Sequence, residues 1–170
     1  IIKSSNQREL DRIQKIVIKT NNLENNIIKL SDDDFPKKTK EFIKKINEGV
    51  SLNEILPEAF ALVREASKRI INERHFDCQI LGSVVIHEGK ICEAKTGEGK
   101  TNMIVCAAYL NALSKKGVHV VTVNDYLAKR DCQNMGKIYN FLGLTAGYIN
   151  NDQSDEERKK NYNCDITYAT

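Results

Sequence analysis

The chain has 170 residues, 41% hydrophobic and 29% charged, with a net charge of +3. Those values fit an ordinary soluble protein with room for one domain and a helical extension. The charge is too mild to argue for nucleic acid by electrostatics alone, and no stretch approaches the roughly 18 apolar residues of a membrane span. Five cysteines at long spacings, none in a C-x-x-C pair, carry no metal or redox motif and read as reduced thiols of a cytosol-like compartment. The chain starts at Ile1 without an initiator Met or signal-peptide architecture, and both ends read as cut.

In chain order, the first third reads as helices. Leu10, Ile13, Ile16, Val17, Leu23, Ile27 and Leu30 recur at helical steps and make one apolar stripe. Such a stripe ordinarily packs against its own domain; docking a partner or a membrane surface is the less common use. Ser31-Asp-Asp-Asp34 supplies a cap and an acidic first turn, with Pro36 tolerated near the start, and Phe42, Ile43 and Ile46 carry the apolar face to Gly49. A second helix is expected to open at Pro57 and run to Ile70, because proline suits the first helical position. Arg74-His-Phe-Asp-Cys-Gln79 then interrupts the apolar pattern ahead of Ile80, Leu81 and Val84-Val-Ile86.

From residue 90 the rhythm changes to alternating strands and helices. Lys90-Ile-Cys-Glu-Ala94 reads as a short strand, and Met103 to Leu110 as a helix ending near Lys115, Lys116 and Gly117. Val118-His-Val-Val-Thr-Val123 is a β-branched run of the kind buried on both faces of a sheet. Asn124 and Asp125 cap a helix that continues to about Leu142, and Ala146-Gly-Tyr-Ile149 is the next strand. Ser154-Asp-Glu-Glu157 is a capping box, and Asp165-Ile-Thr-Tyr168 a fourth strand. Repeated β-α-β units imply a parallel sheet with helices on both faces.

Between the first strand and its helix, Ala94-Lys-Thr-Gly-Glu-Gly-Lys-Thr101 has the A-x-x-G-x-G-K-T form of a phosphate-binding loop. Gly97 and Gly99 permit tight or left-handed backbone, so that amide N–H groups close on phosphate oxygens. Lys100 brings an ammonium to the β- and γ-phosphates, the Thr101 hydroxyl is a ligand for Mg²⁺, and the helix start aims its dipole at the anion. Thr96 belongs to the same loop. Glu98, between the two glycines, reads as a solvated or water-bridging residue rather than a general base.

Leu56 to Arg69, Arg74 to Gln79, Thr96 to Thr101, Tyr109 to Leu113 and Lys116 to Asp131 together resemble the SecA family, with Phe141-Leu-Gly-Leu-Thr and Asp165 to Thr170 in agreement. The resemblance covers nearly the whole chain, in order. It implies an α/β, RecA-like P-loop motor domain with an incomplete parallel sheet, preceded by an N-terminal helical arm. Residues 1–55 would be the arm, and 56–170 the first part of the nucleotide-binding domain, ending before its acidic box. By the same resemblance Gln79 reads the adenine edge, donating and accepting through one amide, and Phe76 packs by the base. Arg130 lies in a second helicase-like motif, where it either senses nucleotide or pairs with Asp131 or Glu98. Three positions depart from the family pattern: Glu73, Ser83 and Asn102.

The activity implied is ATP hydrolysis driving unfolded preproteins through a SecY-type channel, with ATP/ADP and Mg²⁺ as cofactors. Lys100 and Thr101 would be the catalytic residues. The implied location is cytoplasmic and peripheral on an anionic inner-membrane surface, or a plastid stroma. A homodimer is among the assemblies the resemblance allows, and no nucleic-acid partner is expected. The acidic box would lie beyond Thr170, so this chain alone is expected to bind nucleotide weakly and not to hydrolyse it. A superfamily-2 helicase and a non-hydrolysing nucleotide-binding module are the alternatives; a small P-loop kinase leaves the helical first third unexplained.

Overall fold

The computed structural model describes residues 4–95 and 97–170. The helical stripe of the first third becomes α1 (Ser5–Ile27), whose N-cap Ser4 accepts from the Gln7 amide. Ile13, Val17 and Ile27 point from it into the core. The packing use of the stripe is therefore the one the fold adopts. α2 (Asp34–Asn47) follows, with the Asp34 carboxylate accepting from both the Ser31 amide and hydroxyl.

The next helix, α3 (Leu52–Ile71), begins well before Pro57. Ser51 and Glu54 cap each other's backbone amides in a reciprocal box, which fixes the start. Pro57 is the sixth residue of α3, where its missing N–H forfeits one bond, to the Asn53 carbonyl. The division expected between residues 55 and 56 falls inside this helix. α3 is the central strut: Ile55, Leu56 and every residue from Ala59 to Ser67 are buried on it.

The interrupting segment turns into α4 (Asp77–His87), which packs against α5 (Lys100–Ala112). Contact is close at Gly82, where a Cβ would sit 2.8 Å from Met103 Sδ. The expected strand at 90–94 does not form. The Gly89 and Lys90 amides close the end of α4 on the Ile86 and Val85 carbonyls, and Ile91 is 98% exposed with no ladder partner.

Among the described residues the sheet has three strands, β1 (Val118–Val121), β2 (Ala146–Tyr148) and β3 (Ile166–Ala169), in the order β1-β3-β2 and all parallel. α6 (Asp125–Phe141) and α7 (Asp155–Tyr162) complete the chain. Asn124 caps α6 through the Leu127 amide, and Ser154 with Glu157 caps α7. Successive residues of β3 point opposite ways. Tyr168 meets Tyr139 of α6, its hydroxyl 3.2 Å away, while Thr167 donates to the Asn161 carbonyl of α7. Helices thus cover both faces of β3. Among the described residues β1 pairs with β3 alone, and its burial is one-sided where burial on both faces was expected: Val120 is buried but His119 and Val121 are exposed. One apolar cluster joins α1 to α6 and β3, and the rings of Phe35 and Phe141 tie α2 to the end of α6 at 4.8 Å.

Candidate functional site

The candidate phosphate loop runs into α5 through Gly99, which occupies the N-cap in the left-handed region at φ 73° and offers no side-chain acceptor. The Asn102 and Met103 amides bond back to the Gly99 carbonyl, at 3.0 and 3.3 Å, and among the described residues no bond is found for the Lys100 and Thr101 amides ahead of them. Gly99 is confined from a second direction as well, since a Cβ there would lie 2.3 Å from Gln79 Nε2. Gly97, at φ 89°, has open space around it, so only the backbone requires glycine there.

Lys100 and Thr101 are the first two residues of α5, the lysine exposed and the threonine half-buried. Thr96 lies outside the described residues. Glu98 is less free than expected: its carboxylate accepts from the Lys95 amide at 2.7 Å, closing the loop's entry.

Gln79, only 5% exposed, joins the two walls of the site. Its Oε1 accepts from the Phe76 amide at 2.9 Å, capping the start of α4, and its Nε2 donates to the Glu98 carbonyl at 3.1 Å. One lone pair and one N–H of the amide remain for a ligand. Phe76, 68% exposed, presents its ring beside it. Behind this wall Ser83, fully buried, lies within 2.8 Å of the Gln79 carbonyl and 2.7 Å of the Met103 carbonyl, stitching α4 to α5.

His75 does similar work. Its Nε2 donates to the Asn102 carbonyl at 2.9 Å, and its buried Nδ1 has no partner. Burial, with Arg64 and Arg74 adding like charge, pushes its pKa down from 6.5 to about 4, so it is neutral at physiological pH.

These pieces enclose a cavity of about 520 Å³. Asn72, Glu73, Arg74, Phe76 and Gln79, from α4 and the turn before it, and Gly97, Glu98, Gly99 and Asn102, from the loop and first turn of α5, line it. The structure thus brings Phe76, Gln79, Gly97, Glu98 and Gly99 together. Arg130 is not on this wall: its Nε and Nη2 both bond Asp131 Oδ1, at 2.9 and 2.7 Å, which is the ion-pair alternative. A separate groove of about 270 Å³ between α4, α5 and β1 contains no phosphate-loop residue.

Sequence reasoning missed how α1 reaches this cavity. Glu24 of α1 grips the Arg74 guanidinium with both oxygens, at 2.6 and 2.7 Å, and this pairing holds the Glu24 carboxyl below its usual pKa. Arg64, 1% exposed, donates to Asn21 of α1 at 2.6 Å and to Asp77, the first residue of α4, at 3.1 Å. It also missed that Glu73 and Asn102 belong to one another, with Asn102 Nδ2 donating to Glu73 Oε2 at 2.8 Å. A polar residue in the first turn of an otherwise apolar helix was the available signal.

No group of three or more His, Cys, Asp or Glu among the described residues is placed to hold a metal ion. Thr101, expected from the sequence to offer its hydroxyl to Mg²⁺, is half-buried in the first turn of α5 and is not among the residues that line this cavity.

The family model described as the SecA DEAD-like domain matches residues 1–170. The protein translocase subunit SecA of Pelagibacter ubique (strain HTCC1062) is 71% identical over 169 residues, covering 99% of this chain and 20% of that protein. The subunits of the same name from Geobacter metallireducens and from Clostridium botulinum (strain Alaska E43 / Type E3) are 57% and 55% identical, covering 100% and 96% of this chain and 19% and 20% of those proteins. The chain therefore spans about one fifth of the length of these relatives.

Proposed function

The chain belongs to the SecA DEAD-like domain family, and from that premise we propose that it is the adenine- and phosphate-binding part of an ATP-driven motor that moves unfolded preproteins through a SecY-type channel. The observation that carries this reading is the double engagement of Gln79. One amide caps the helix carrying Phe76 and holds the Glu98 carbonyl of the phosphate loop, so a base reader and a phosphate cradle share one cavity. Residues 1–55 act as the helical arm, and 56–170 as the first part of the nucleotide-binding unit.

Each residue then has a task. The backbone of Gly97 to Thr101 and the start of α5 bind phosphate oxygens, and Lys100 neutralises charge at the β- and γ-phosphates. Thr101 supplies one oxygen to Mg²⁺, which, when bound, offsets the charge that develops on the transferred phosphoryl group. Thr96 belongs to the same cradle. Gln79 matches the adenine edge and Phe76 covers the base. Arg130, paired with Asp131, acts on nucleotide only if that pair opens.

No helix among the described residues is long and apolar enough to cross a membrane. Because the apolar stripe of α1 is buried, attachment to an anionic membrane surface would use the exposed Lys15, Lys19 and Lys29 rather than insertion of that face. The chain alone binds ADP or ATP weakly and does not turn it over, since the acidic box and a second motor domain are needed to close on the nucleotide.

The test is the ATPase rate of the full-length protein with unfolded preprotein and channel-bearing membranes, and separately with RNA. Stimulation by preprotein, lost in Lys100→Ala, is the expected result. Stimulation by RNA alone would move the chain to the helicases, and no turnover in either arm would leave a nucleotide-binding module.

A further inference from the structure

The cavity carries a carboxylate that neither the phosphate loop nor Gln79 accounts for. Glu73 lies in the turn between α3 and α4, is exposed, and lines the cavity. It is not a loose surface side chain. Its Oε2 is anchored by Asn102 Nδ2 at 2.8 Å, from the first turn of α5 immediately after Thr101. Its neighbour in sequence, Arg74, is committed to Glu24 of α1, and the side chain bonded to Glu73 is a neutral amide.

The anchor also fixes where the carboxylate stands. The point at which a Gly99 Cβ would sit is 2.3 Å from Gln79 Nε2 and 3.8 Å from Asn102 Nδ2. The two amides are near neighbours, and Glu73 is held by one of them beside the other. With the phosphates seated at Gly97 to Thr101, the base falls on the wall formed by Phe76, Gln79 and Glu73.

A carboxylate only accepts hydrogen bonds. The 6-position of adenine carries an amine with two N–H donors, whereas the same position of guanine is a carbonyl acceptor, as it is in hypoxanthine. Gln79 Oε1 already accepts from the Phe76 amide and has a single lone pair left for that amine. The second amine hydrogen requires another acceptor. We propose that Glu73 is a specificity-determining residue whose carboxylate accepts from the 6-amine of an adenine nucleotide and disfavours purines with a 6-carbonyl. This rests on the cavity being the nucleotide site.

Inosine diphosphate isolates the effect, because hypoxanthine has the 6-carbonyl without the extra 2-amine of guanine. The experiment is titration of ADP and inosine diphosphate into the full-length protein, wild type and Glu73→Gln. Glutamine keeps an acceptor for Asn102 but loses the charge and can turn a donor toward a carbonyl. The wild type is expected to prefer ADP by about tenfold or more, and Glu73→Gln to shrink that preference about tenfold, since a hydrogen bond to a charged group is worth a decade or more in affinity. Glu73→Ala, which also frees Asn102, should lose the preference together with some ADP affinity. An unchanged preference in Glu73→Gln, with ADP still bound, overturns the role of Glu73 and leaves the cavity's reading intact. A wild type that binds neither nucleotide overturns both.

Discussion

Replacing Gly99 by alanine strikes the point where the candidate phosphate loop meets Gln79. Two costs add there. An L-residue at φ 73° carries a left-handed penalty of roughly 1–2 kcal/mol. The new Cβ, 2.3 Å from Gln79 Nε2, also forces that amide off the Glu98 carbonyl, a loss of about 1 kcal/mol. The variant loop relaxes when empty, and nucleotide must restore the strained form to bind. ADP affinity of the full-length protein should therefore fall by roughly 30- to 100-fold, at about 1.4 kcal/mol per tenfold. Gly97→Ala bears only the backbone part, because nothing lies within 4 Å of its Cβ. In a double-mutant cycle, Gln79→Ala removes the clash but not the strain, so Gly99→Ala should cost less in that background, by about the hydrogen-bond part. Titration with a fluorescent ADP analogue measures all four. A Gly99→Ala protein within about threefold of wild type, or strict additivity with Gln79→Ala, would refute the reasoning.

Two further outcomes are expected. His75 is neutral when folded, with its pKa lowered to about 4 from 6.5, so its contribution is complete above pH 6.5 and is lost as pH falls toward 4. Urea unfolding should lose up to about 3 kcal/mol over that window, and His75→Gln should flatten the slope; an equally steep slope in the variant would clear His75 of the effect. Glu24→Ala strips Arg74 of its paired acceptor and leaves the buried Arg64 with less compensation, so stability should drop by about 1 kcal/mol or more and ADP binding weaken several-fold. Wild-type ADP affinity in Glu24→Ala would sever α1 from the site.

Much of the chain was legible because its signals are local. Asn124 and Ser154 cap where their side chains reach the amides three residues on, and the α1 stripe follows from helical period alone. Pro57 misled because proline favours a helix start, yet α3 carries it as its sixth residue at the loss of one bond, and the Ser51–Glu54 box sets the start through bonds between residues three apart. Lys90 to Ala94 failed as a strand for a non-local reason: strands need partners, and the Lys90 amide is engaged in ending α4. The burial of Val118 to Val123 is non-local too: its composition suits a strand buried on both faces, while among the described residues β1 pairs with β3 alone.

In the site, the glycines, Lys100 and Thr101 could be read from spacing. The Gln79–Glu98, Glu73–Asn102 and Glu24–Arg74 contacts could not, since each joins residues 19 or more apart that meet only once α3, α4 and α5 have packed.

The most direct measurement is a structure of the full-length protein with ADP and Mg²⁺. The diphosphate is expected against the amides of Gly97 to Thr101, the magnesium by the Thr101 hydroxyl, and the adenine edge within hydrogen-bond reach of Gln79. A base turned away from Gln79, or nucleotide lodged in the groove beside β1, would contradict that placement.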